Sequence, residues 1–245
     1  RREKKFIRKN KRICKREIVI VYIEIYFFNF MNELLRDPEI YRAGPDYKAS
    51  NIVFPVMYKG ERYIIKKPRI TGDLTYLYYY LRDDNGNRIL SSNKAGMNEE
   101  AMKLKTLNGK FAPKLIDYDP NTATECREYI DGEDFRKLKF YNDKKRAIEF
   151  GALGIREIHS RGVILGDATI KNIILTKNKD KAFWMDFDGV FDEDNINEAK
   201  ARDIIKFVNT TYQLTRDEKL REHALETVLE IYRNNKVIDI VRTFT

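Results

Sequence analysis

The sequence predicts an α+β chain, and three observations carry that reading. The first half is built from strand-length runs joined by turn residues, at 52–58, 61–67, 112–118 and 124–130. From Phe135 onward apolar residues recur at three- and four-residue spacing, the period of a helix. One short hairpin interrupts that half, with Ile173-Ile174-Leu175 and Phe183-Trp184-Met185 as its arms. Strands first and helices after is the order of an α+β chain, here an antiparallel sheet followed by a small, mainly helical part.

Composition bounds the answer. The chain has 245 residues, 42% hydrophobic and 35% charged, enough for an ample core beneath a charged surface. Two cysteines, Cys14 and Cys126, make no disulfide framework, and two histidines, His159 and His223, make no metal cluster. A reducing cytoplasm is therefore expected. The net charge of +9 is local, because residues 1–30 hold ten Lys/Arg against three Glu. The remaining residues are close to balanced, which argues against nucleic acid as a partner.

The N-terminal segment pairs a basic run at 1–16 with the apolar run 18–30. That apolar run is too short to span a bilayer, contains Glu24, and lacks the cleavage site of a signal peptide. Ordinary sequence opens at Met31-Asn32-Glu33, so Met31 is the expected natural start and 1–30 an upstream extension. Its alternative role is peripheral contact with anionic lipid.

The strands at 52–58 and 61–67 flank Lys59-Gly60, a tight-turn signal. Before them, 33–42 reads as a short helix or loop, and 43–50 is turn-rich. Residues 68–98 read as an insertion, a hairpin or a helix with a loop, with a Tyr-rich stretch at 76–81. Met97, Ala101, Leu104 and Leu107 give a helix over 97–107. Asp119-Pro120-Asn121 turns the second strand pair. Helices are expected over 143–160, 196–212 and 216–234, the last followed closely by the end of the chain.

The chemistry concentrates in 158–189. Asp167 precedes Asn172 by five residues, and Asp186 follows the second arm of the hairpin. The polar turn 176–181 brings those arms together, so two acids and an amide converge at one strand edge. Oxygen donors without His or Cys suit a hard cation such as Mg²⁺.

Leu165-Gly166-Asp167-Ala168-Thr169-Ile170-Lys171-Asn172, then Asp186-Phe187-Asp188, resembles the catalytic and metal-binding loops of the protein-kinase-like superfamily. The resemblance implies a two-lobed α+β fold. Its N-lobe would be 31–130, with the 68–98 insertion, and its C-lobe 131–245. It implies ATP and Mg²⁺ as cofactors and transfer of the γ-phosphate to a hydroxyl. Asp167 would orient or deprotonate the acceptor, and Asn172 and Asp186 would hold Mg²⁺.

The strand end Tyr63-Ile64-Ile65-Lys66 is similar to the family's phosphate-binding strand, with Lys66 on the phosphates and Lys67 on the opposite face. Glu100, with Glu99 as alternative, would aim Lys66. Gly44 and Ser50 fall where the phosphate loop belongs. The backbone at Glu128 and Ile130 resembles the adenine-binding hinge, with Asp131 or Asp134 near the ribose. Asp203 would prop the catalytic loop, and Lys171 would supply charge to the transferring phosphoryl.

The departures are also informative. Leu165 replaces the family's histidine, the phosphate loop has one glycine, and the activation segment is short and lacks A-P-E. These features are similar to compact atypical branches: RIO kinases, the kinase of the KEOPS complex, and the Kdo/WaaP lipopolysaccharide kinases. The function expected is that of a serine/threonine-type protein kinase of such a branch. The alternatives are a saccharide or other small-molecule kinase and a pseudokinase scaffold.

Overall fold

The computed structural model describes residues 33–47, 51–68, 93–187 and 195–244. Ser50, the Tyr-rich stretch 76–81, Asp188 and the N-terminal extension with Met31 lie outside the described residues.

Two strands, β1 (Ile52–Tyr58) and β2 (Glu61–Lys67), pair antiparallel across Lys59-Gly60. Both turn residues have positive φ, 49° and 83°, the backbone of a two-residue hairpin turn whose twist matches its strands. β3 (Leu115–Asp119) and β4 (Thr124–Glu128) complete an antiparallel sheet in the order β1-β2-β4-β3. The expected strand 112–118 is shifted to Leu115–Asp119, because Pro113 has no N–H to give a ladder. A register shift between Leu115 and Asp117 absorbs the misfit. Before β1, the segment 42–47 bridges its outer edge at Arg42–Val56 and Tyr47–Val53.

Strand alternation explains which face is which. Phe54, Val56, Tyr63, Ile65 and Cys126 pack with Leu34 and Leu35 into a small core on one face of the sheet. Ile64 and Lys66 leave β2 on the other face and are also buried. That face meets the long helix α1 (Asn93–Leu107). It begins earlier than the periodicity predicted, so the last residues of the predicted insertion are helical. Its apolar positions Met97, Ala101, Leu104 and Leu107 are buried.

The second half, joined by Leu104 and Leu107 of α1 and by Ala112, forms the larger core. Helix α2 (Tyr141–Ser160) packs on a three-stranded sheet of β5 (Gly132–Asp134), β6 (Ile173–Thr176) and β7 (Ala182–Trp184), in the order β5-β6-β7. β5 is not expected from the sequence, where Gly132 ends the hinge-like stretch 128–132. Gly132 permits it, since a Cβ there would sit 2.2 Å from the Leu175 carbonyl oxygen.

Helices α3 (Ile196–Thr215), α4 (Glu218–Ile231) and α5 (Asn235–Phe244) complete the chain. Arg216, in the left-handed region at φ 54°, breaks α3 from α4, and the Asp217 carboxylate caps α4 at the amides of Lys219 and Leu220. The predicted final helix 216–234 is thus shorter, and α5 is an element the sequence reading lacked. Its run Val237-Ile238-Asp239-Ile240-Val241 has strand-like composition, but burial of Val237, Ile238 and Val241 against the core decides for helix. Among the described residues no helix is long and apolar enough to cross a membrane.

Gly132→Ala is expected to lower the melting temperature by several degrees, a loss of about 2 kcal/mol or more, because backbone rather than a flexible side chain must move. Thermal denaturation followed by circular dichroism checks this.

Candidate active site

Lys66 reaches the junction of the two halves because it lies on the face of β2 opposite Tyr63 and Ile65. Its Nζ donates to Glu100 Oε2 at 2.5 Å and to Asp186 Oδ1 at 3.0 Å. Glu100, fully buried on α1, turns its other oxygen to the Phe187 amide at 3.2 Å and to Arg127 at 2.7 Å. Arg127, on β4, also pairs with Glu125 and donates to the Met185 carbonyl at 3.1 Å. Four separate segments therefore meet in one buried set of charges: β2, α1, β4 and the loop 185–187.

The neighbouring candidates sort cleanly. Glu99 pairs with Lys103 at 3.1 Å and is partly exposed. Lys67 points the other way and pairs with Glu39 at 2.6 Å.

Burial pushes the Glu100 carboxyl up, but Arg127 and Lys66 outweigh it and hold the group down at about 2. Glu125 goes the other way. Burial raises it to about 7, and Arg127 only partly offsets the cost. One of its oxygens, Oε1, has no hydrogen-bond partner.

The second cluster surrounds Asp167. Its Oδ1 accepts from the Thr169 hydroxyl at 2.5 Å and faces Lys206 Nζ at 2.7 Å. Its Oδ2 accepts from the Asn172 amide at 3.3 Å and lies 4.0 Å from Lys171 Nζ. Burial raises the Asp167 carboxyl, but the bonds from Lys206 and Thr169 win, and it stays below the usual carboxylate range. The Asn172 carbonyl accepts the Met185 amide at 2.9 Å, which ties this loop to the strand that ends before Asp186.

The loop backbone is fixed from below. Asp203, buried on α3, accepts the Leu165 amide at 2.8 Å and the Gly166 amide at 2.9 Å. His159 Nε2 donates to Asp203 at 3.0 Å, and its Nδ1 lies 2.9 Å from the Tyr232 hydroxyl. The loop lacks a histidine at Leu165, and a histidine from the end of α2 reaches the same aspartate.

Lys66, Glu100 and Asp186 thus share one set of contacts. Asp167, Asn172 and Lys171 share another. Gly44 sits against Pro55, where a Cβ would meet the ring at 2.9 Å, so packing alone accounts for a glycine there. Glu128 ends β4 with its amide on the Lys114 carbonyl at 2.9 Å, and the buried Ile130 follows. Asp134 caps the short turn Phe135–Lys137 and pairs with Arg136.

Arg127, Glu125 and Lys206 escaped the sequence reading. Lys206 carried one signal: it lies three residues beyond Asp203, on the same helix face. Arg127 and Glu125 carried only the oddity of charges at alternate positions in a strand that proves buried.

The donor set suits Mg²⁺. With its nitrogen turned to Asp167, Asn172 keeps an amide oxygen, and Asp186 adds a carboxylate that is one-third exposed. A magnesium ion commonly takes one or two protein oxygens and completes its shell with phosphate and water.

The antiparallel sheet with α1 across one face, the Lys–Glu pair between them, and the loop–hairpin–loop at the top of a mainly helical half define a protein-kinase-like fold. No family model matches the chain, and no curated protein matches it. Among solved structures, a WaaP protein in complex with acyl carrier protein is similar, with 16% identity, 86% of this chain and 89% of that chain covered, and a TM-score of 0.49.

The Glu125 environment makes stability depend on pH. Between the ordinary value of 4.5 and about 7, the folded chain keeps a proton that the unfolded chain releases. This group's stabilising contribution therefore falls as pH rises through that window. Urea denaturation near pH 5 and near pH 8 should show the wild type losing about 1–3 kcal/mol more than Glu125→Gln over that interval.

Proposed function

We propose that this chain is an ATP-dependent phosphotransferase that moves the γ-phosphate to a hydroxyl. The observation that carries the reading is the convergence of Lys66, Glu100 and Asp186 in one ion cluster, buried at Lys66 and Glu100 and open to solvent at Asp186. That cluster is joined through the Met185–Asn172 hydrogen bond to the loop that bears Asp167. A scaffold needs none of these groups in register; phosphoryl transfer needs all of them.

In this reading residues 31–130 form the nucleotide lobe and 131–245 the acceptor lobe. Lys66, held by Glu100, binds the α- and β-phosphates. The backbone of 128–130 borders the adenine, and Gly44 belongs to the segment that would cover the phosphates. Asn172 and Asp186 hold Mg²⁺, which neutralises the phosphate charge when bound. Asp167 orients the acceptor hydroxyl and takes its proton as the new bond to phosphorus forms. The acceptor expected from the sequence resemblance is a protein serine or threonine, with a saccharide hydroxyl as the competitor.

Titration with Mg-ATP and a turnover assay on the full chain test the reading. Wild type should bind and hydrolyse Mg-ATP slowly and phosphorylate a hydroxyl substrate in an acceptor screen. Asp186→Ala should lose Mg²⁺-dependent ATP binding. Asp167→Ala should keep binding and lose turnover by about 100-fold or more. Absence of Mg-ATP binding by the wild type overturns the reading in favour of a pseudokinase scaffold.

A further inference from the structure

We infer that Lys206 is the positioning residue for Asp167: it locks one carboxylate oxygen and so dedicates the other, Oδ2, to the acceptor hydroxyl. The inference rests on the phosphotransfer reading and gives α3 a direct hold on the Asp167 carboxylate.

Three side chains on one face of α3 grip consecutive parts of the catalytic loop. Asp203 takes the amides of Leu165 and Gly166, Lys206 takes the Asp167 carboxylate, and Thr210 Oγ1 accepts the Ile170 amide at 3.1 Å. Positions 203, 206 and 210 are one and two helical turns apart and share a face. Asp203 is itself fixed by His159, so the helix cannot rotate beneath the loop without breaking a buried contact. Lys206 is thus presented to Asp167 by a rigid element.

The two oxygens of Asp167 are unequal. Oδ1 is held by both Thr169 at 2.5 Å and Lys206 at 2.7 Å. Oδ2 has one long bond, from Asn172 at 3.3 Å, and Lys171 stands off at 4.0 Å. Oδ2 is therefore the acceptor-facing base. As the acceptor oxygen bonds to the γ-phosphorus, its proton passes to Oδ2. The bond from phosphorus to the β,γ-bridging oxygen breaks, and ADP leaves with that electron pair. Lys206 keeps its proton throughout. The groups facing Asp167 are Lys206 from α3 and Thr169, Lys171 and Asn172 from its own loop. Asp167 receives the proton as the anion, and without Lys206 its carboxylate is held only by groups of its own loop.

Steady-state Mg-ATP turnover by the full chain, with water as acceptor, tests this in Lys206→Met, Lys206→Gln and Lys206→Arg. Lys206→Met and Lys206→Gln should lower kcat by about 10- to 100-fold. KM for ATP should stay within about twofold. Lys206→Arg, which keeps the charge, should restore kcat to within about threefold of wild type. Wild-type kcat in Lys206→Gln, a KM for ATP raised along with the loss of kcat, or failure of Lys206→Arg to restore kcat overturns the inference alone. A wild type that neither binds nor turns over Mg-ATP overturns the phosphotransfer reading and this inference with it.

Discussion

Glu100 is the constraint on which the site depends. It is a carboxylate with no exposed surface, and burying an unpaired charge is costly enough that the fold must bring partners to it. Those partners come from everywhere: Lys66 from β2, Arg127 from β4, and the Phe187 amide from the loop after β7. Each satisfied oxygen fixes the distance between two elements. The small sheet has an apolar core of its own, whereas Leu104 and Leu107 of α1 pack into the core of the helical half. Charge and directed hydrogen bonds therefore act beside apolar packing in registering one on the other.

Arg127 extends that logic. Its guanidinium presents several donors in a fixed plane, and here they serve two carboxylates and a backbone carbonyl. A lysine could not span the same set. The Met185 carbonyl precedes Asp186 directly, so Arg127 reaches the metal-side loop through the backbone while Lys66 reaches it through the side chain. The loop around Asp167 is built on the same plan from the opposite side, with α3 in place of α1. In both places a rigid helix supplies the charge and an irregular segment accepts it.

Much of this was legible in the residues. The hairpin of β1 and β2 was readable to its ends because Lys59-Gly60 leaves few other backbone solutions. The spacing of Asp167, Asn172 and Asp186 led to an expectation of one neighbourhood; their contacts fall in two sets, linked by the Met185 amide on the Asn172 carbonyl. β5 was hidden because a three-residue strand has no period to detect and its glycine reads as a turn. α5 was hidden because its β-branched run carries the wrong local preference, and only burial against the preceding helices decides the matter. Arg127 and Glu125 could not be found from pattern at all. Charges in a strand imply solvent unless their partners are known; these two pair with each other along β4, and the further carboxylate that Arg127 meets lies on α1.

The order of pairing in the small sheet bears on how the molecule assembles. β2 lies against β4, with Lys66 opposite Glu125, so this ladder closes only after a long stretch of chain has been looped back. The hairpins β1–β2 and β3–β4, by contrast, each join neighbours in sequence. Local contacts form early and distant ones late. The two hairpins can thus be ordered while the ladder between them is still open. In that species Lys66 and Arg127 have not been brought to the same Glu100. The ion cluster is then gained only when the hairpins join and is lost when they part.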